Sequence, residues 1–336
     1  MVDFGNVPGP VKAIFNKFPL QMYPPVASDY EDFEGDESMR RSYFEGQNAV
    51  QTSGADTFAL GVYNVFEHGD TSRLLASDPW CLFTQLALCR KSRLKLGTRA
   101  GLGGAQRTKQ STKQSTAPQH SMVTLSPLAA VDASLPVLIE GSSRRFVRST
   151  EGINEILRSR IKDCEDVVYA ALWDSVVYDA WIAETVFGAP RDHVLRTYAF
   201  DYKANGAVLS YVSRRNVTMA LLKRNGFELR HAALSRYADS PAGPMAGPMA
   251  GPVAGLLDPI VENAQRTLQQ FESLLADDEQ TFFSSSDSAG MLDLKVASYT
   301  TCLLHCASSE SRLAEYLRRR CPQLVAHSLL VVQQYC

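Results

Sequence analysis

The chain has 336 residues, 45% hydrophobic and 21% charged, with a formal net charge of -2. That length suits two domains and a sizeable buried core, and the near-neutral balance offers no global basic field for nucleic acid. Seven scattered cysteines without a CxxC pair fit free thiols in a reducing compartment, and no apolar run reaches the ~18 residues of a spanning helix, so any membrane association is expected to be peripheral or through a partner.

Residues 1–55 read as an irregular N-terminal extension rich in Pro, Asp and Glu. Within it Val11, Ile14, Phe15 and Phe18 follow helical spacing until Pro19, Pro24 and Pro25 stop any helix. Together with Leu20 they form an apolar segment that either anchors a protein partner or packs on the chain itself. Phe58–Phe66 reads as one buried strand. Ser77-Asp78-Pro79 opens a helix, with Pro79 at its first position and Asp78 or Ser77 as cap. Residues 97–121 are Gly, Ser, Thr and Gln with four cations, a composition expected to stay a disordered, solvated insertion. Leu135–Glu140 and Arg144–Arg148 read as two strands, and Ser149-Thr150-Glu151 as the start of a helix.

From residue 162 onward every signal is helical. The segment 165–187 is apolar on most faces and should be a buried helix. A helix at about 206–225 carries Arg214, Arg215, Lys223 and Arg224, read as a solvated basic face. The Ala-Gly-Pro-Met repeat makes 240–256 a low-complexity loop, and Asp258-Pro259 is expected to restart helix. Residues 291–306 and 311–334 complete the helical set. Cys302 and Cys306 lie one turn apart with only His305 near, short of the four ligands of a usual zinc site, so no metal is expected.

Three segments resemble the glutathione transferases: Leu135-Pro136-Val137-Leu138, like their cis-proline junction; Ser149-Thr150-Glu151-Gly152-Ile153, like the turn that holds glutathione; and Met291–Ala297, like their core C-terminal helix. The resemblance implies α/β plus all-α architecture: a thioredoxin-like domain at 56–161 and an all-helical domain at 162–336. It also implies a cis Leu135-Pro136 bond.

Further blocks resemble the fungal metaxin-like receptor subunit of the mitochondrial sorting and assembly machinery. They are Pro10–Phe15, Phe18–Gln21, Leu60–Phe66, Asp78–Phe83, Gln85–Cys89, Arg148–Thr150 and Lys295–Tyr299. This resemblance implies a peripheral protein on the cytosolic face of the outer membrane. It would bind the central β-barrel subunit, sit beside a second metaxin-like subunit and receive β-barrel precursors. The segment Val11, Ile14, Phe15, Phe18 and Leu20 is then the candidate partner contact, and Arg144, Arg145 and Arg148 the candidate precursor contact, against an ordinary charge-protected edge strand. A structural cap that never touches precursor is the alternative.

A glutathione-dependent enzyme is the remaining alternative, and the residues argue against it. Such enzymes set a hydroxyl or thiol at the first helix start, whose positive end stabilises a thiolate. Here Asp78-Pro79 stands there, and Ser149 is too short to grip an ammonium. No catalytic residue and no cofactor are expected.

Overall fold

The computed structural model describes residues 40–50, 57–98, 119–130, 132–141, 146–199, 206–239, 251–277, 281–283 and 288–336. Val11, Ile14, Phe15, Phe18, Leu20, Arg144 and Arg145 lie outside them. Met39–Cys336 forms one compact unit.

A five-stranded mixed sheet is built from β1 (Arg41–Tyr43), β2 (Thr57–Val62), β5 (Ser121–Thr124), β6 (Val137–Gly141) and β7 (Phe146–Arg148), in the order β1-β5-β2-β6-β7. β2 runs parallel to β5 and antiparallel to β6, and among the described residues β7 pairs only with β6. A separate hairpin joins β3 (Val65–His68) and β4 (Arg73–Ala76). Helix α1 (Pro79–Ser92) follows, and α2 (Thr150–Arg158) closes this half. The Leu135-Pro136 peptide bond is cis, as expected.

The remainder is helical. One continuous helix comprises α3 (Cys164–Leu172), a π-helical turn at Trp173–Val177, α4 (Tyr178–Ala183) and a second π-helical turn at Glu184–Gly188. Then come α5 (His193–Tyr198), α6 (Ala207–Lys223), α7 (Phe227–Arg230), α8 (Ala232–Asp239), α9 (Gly251–Asp277), α10 (Met291–His305), α11 (Arg312–Arg320) and α12 (Pro322–Gln333). The expected fold class, a thioredoxin-like sheet half followed by a helical half, is what the chain adopts. α10 packs against α1 and joins the halves around a core that includes Trp80, Trp173, Tyr178, Trp181 and Tyr299.

Several boundaries differ from the sequence reading. Phe58–Phe66 is two strands in two ladders. Asn64 breaks it by accepting from the Val65 N–H (2.9 Å) and donating to the Arg196 carbonyl (2.8 Å). The extension assigned to 1–55 contributes β1, hydrogen-bonded along the sheet edge to β5. Of the segment 97–121 read as a disordered insertion, residues 99–118 lie outside the described residues, while 97–98 and 119–121 are part of the fold. The Gly97 carbonyl accepts from the Leu74 N–H (2.8 Å), and a Cβ at Gly97 would sit 2.2 Å from the Tyr43 carbonyl oxygen. There a glycine serves close backbone approach. α9 starts at Gly251, inside the segment read as a loop, and runs through Pro259. Val253, Leu257, Ile260, Ala264 and Leu268 are buried along one face, and that packing outweighs the one hydrogen bond the proline removes.

Candidate functional site

At the start of α1, Asp78 caps the helix. Its Oδ1 accepts from the N–H groups of Trp80 (3.1 Å) and Cys81 (3.2 Å). The same carboxylate is gripped at both oxygens by Arg224, with Nη1 and Nη2 each at 2.9 Å, and Oδ2 also accepts from the Tyr198 hydroxyl (3.1 Å). Both charged side chains are buried. Arg224, expected on a solvated face, instead turns inward where the chain leaves α6, and its guanidinium lies 4.3 Å from the Trp80 ring centroid. Nη2 also donates to the carbonyl of Leu135 (2.8 Å), whose N–H is given to the Tyr63 hydroxyl (3.1 Å).

The electrostatics follow from that enclosure. Burial works against the charged guanidinium, but Asp78 and the neighbouring Tyr178 and Tyr63 hydroxyls more than offset it, and the Arg224 pKa ends above the ordinary value. Burial, then the Asp78 carboxylate, push the Cys81 thiol well up, so it stays protonated. Burial also raises Tyr63 to about 12. Ser77 donates to the Thr197 carbonyl (2.7 Å). The positive end of α1 is therefore occupied by a side chain of the protein itself, which is in turn neutralised from within.

The turn resembling a glutathione-holding loop is also engaged internally. Ser149 Oγ caps α2 by accepting from the Gly152 N–H, while the Thr150 hydroxyl faces the Ser134 and Pro136 carbonyls, each at 2.9 Å. Next to the ion pair, Trp80 Nε1 donates to the Tyr299 hydroxyl (2.9 Å), which donates to Asp174 (3.0 Å), which also pairs with Lys295. Asp174 lies in the first π-helical turn.

The second place of interest is the outer edge of the sheet. β7 exposes Phe146 (53%) and Val147 (52%). Its Arg148 is paired with Glu140 (2.9 Å) and lies 4.8 Å over the Phe146 ring, so that cation is already partly neutralised. Between α1, α2 and this edge lies a groove of about 140 Å³, with Ala87, Leu88, Leu138, Ile153, Ile156 and Leu157 on its apolar wall and Thr84, Lys91, Arg160 and the Glu140–Arg148 pair on the rest. Sequence reasoning singled out Arg148 and missed Phe146 and Val147. The signal for them was present, since two large apolar residues stand within a short basic strand.

Residues 6–140 match a family model described as SAM35, a subunit of the SAM complex. The chain is 34% identical to the sorting assembly machinery 35 kDa subunit of Saccharomyces cerevisiae over 340 aligned positions, covering 97% of this chain and 96% of that protein. Among solved structures, it is similar to a glutathione S-transferase of Ceriporiopsis subvermispora in complex with glutathione (13% identity, TM-score 0.44, 85% of this chain and 100% of that one). Another is a glutathione transferase of Phanerochaete chrysosporium (12% identity, TM-score 0.37, 84% and 98%). On the near full-length similarity to the yeast subunit, the chain belongs to the family of the 35 kDa subunit of the sorting and assembly machinery.

Proposed function

We propose that this subunit is a non-enzymatic receptor at the mitochondrial outer membrane, attached peripherally on the cytosolic face. It takes the strand-forming signal of a β-barrel precursor on β7. The observation that carries this reading is the outer edge of β7, which has no further strand beside it among the described residues, with exposed Phe146 and Val147 next to a partly apolar groove. An extended peptide carries unpaired backbone N–H and C=O groups, and such an edge satisfies them by strand addition while the groove receives alternate side chains. Arg148, with Arg144 and Arg145 preceding it in the sequence, is the proposed polar contact for the precursor.

Enzymatic chemistry fits poorly, because the helix start that would activate a thiol holds the Asp78–Arg224 pair. Among the described residues no helix is long and apolar enough to cross a membrane, in keeping with attachment through partners. The segment containing Val11, Ile14, Phe15, Phe18 and Leu20 is proposed to hold the central β-barrel subunit, beside the second metaxin-like subunit. Deleting residues 1–26 should release the protein from the complex without changing its thermal stability; a large loss of stability would assign the segment to internal packing.

The test of the receptor role is a photo-crosslinker at Val147 in the assembled complex, challenged with a precursor signal peptide. A crosslink well above that from the exposed Arg319 position is expected. Equal yields would leave a structural cap as the better reading.

A further inference from the structure

The first half of helix α6 carries an exposed apolar face. Val208 is 76% exposed, Leu209 60%, Val212 46% and Tyr211 37%. At ~100° per residue, Val212 lies opposite the buried Val217 and Leu221, while the buried Leu222 lies on the same side as Val208 two heptads further on. The core is therefore served by the second half of the helix, and the aliphatic residues of the first half lie beyond its reach. Surface helices normally show the reverse pattern, apolar inward and polar outward.

The charges narrow the choice of occupant. Residues 207–223 contain Arg214, Arg215 and Lys223 and no acidic residue. Arg215 falls between Val208 and Tyr211 in angle, on the same side as the aliphatic face, and the Arg214 guanidinium lies 6.0 Å from the Tyr211 ring. Arg215, a long cation on the aliphatic side of a helix without acidic residues, makes an anionic surface the matching occupant.

We infer that the first half of α6 is an interfacial element that lies on an anionic phospholipid bilayer, with Val208, Leu209 and Val212 in the acyl boundary and Arg215 at the headgroups. Aliphatic residues on one face, a tyrosine beside them and a long cation that reaches past the apolar zone are what such a surface selects. The contact adds a second attachment to whatever protein contacts hold the subunit. It is independent of the β7 reading, because bare vesicles contain neither a barrel nor a precursor.

Flotation of the full chain with vesicles of four parts phosphatidylcholine to one part phosphatidylserine tests it. The wild-type chain should float, less so on phosphatidylcholine alone or at raised salt. The combined variant Val208→Ser, Leu209→Ser, Val212→Ser should lose about tenfold or more in partitioning, and Arg215→Glu several-fold, both with unchanged melting temperature. Absence of wild-type flotation, or equal partitioning of the triple variant, overturns the inference. So does a lowered melting temperature in the triple variant, which would assign the face to internal packing. A dimeric wild type made monomeric by the triple substitution would assign it to a second copy, with the same consequence.

Discussion

Asp78 and Arg224 meet in a two-pronged ion pair, 2.9 Å at each contact, with both side chains buried. One residue opens the first helix of the sheet half and the other ends a helix of the helical half. The pair fastens the halves together at the point where a thioredoxin-like enzyme would hold its thiol.

Removing one partner leaves the other charge buried and unpaired. Asp78→Ala or Arg224→Ala should each cost about 3–5 kcal/mol of unfolding free energy. The variant Asp78→Asn with Arg224→Met should cost less than the two single alanine changes combined, because no lone charge remains. Urea unfolding of the three variants measures this; strict additivity would show that the two residues act separately.

Thiol reactivity reports the same enclosure. Cys164 is exposed, whereas Cys81 and Cys302 are buried with their pKa values pushed up, first of all by burial. In native protein at neutral pH a thiol reagent should modify Cys164 readily. Cys81 and Cys302 should react only after unfolding, as read by peptide mass analysis. The pure protein should show no glutathione conjugation above background, and Ser77→Ala should leave that unchanged.

Glu184 starts the second π-helical turn, and its carboxylate accepts from the backbone N–H groups of Arg312 and Leu313 at the head of α11. Burial raises its pKa above 4.5 in spite of the Ser311, Leu313 and Arg312 contacts that oppose the rise. A carboxyl with a raised folded pKa holds its proton more tightly in the folded state. Its contribution is fully present below 4.5 and is lost as pH climbs through the folded value. Glu184→Gln should flatten that part of the stability profile, measured by urea unfolding at a series of pH values from 4.5 upward. An unchanged slope would rule Glu184 out as its source.

Gly97→Ala should destabilise by about 1–3 kcal/mol, since the added carbon meets the Tyr43 carbonyl oxygen at 2.2 Å. Thermal melting measures it. A neutral result would mean that β1 yields without consequence.

Local chemistry by itself determined much of this protein. Asp78-Pro79 specified the start of α1, Ser149 the start of α2, and the apolar spacing from Met291 onward the helix that joins the halves, because caps and periodicity act over a few residues. The matching blocks from Pro10 to Tyr299 were enough to indicate the family. The tertiary structure alone decided the fate of Arg224. Beside Lys223 it reads as one more surface cation, and only folding brings it to a carboxylate 146 positions earlier in the chain. The same holds for Gly97, where a loop-like composition conceals a close backbone approach, and for Val208, Leu209 and Val212, whose exposure follows from how far along α6 the core reaches. Sequence patterns specify which residues share a face of an element. Which face turns inward, and what meets it, depends on long-range packing that no local window contains.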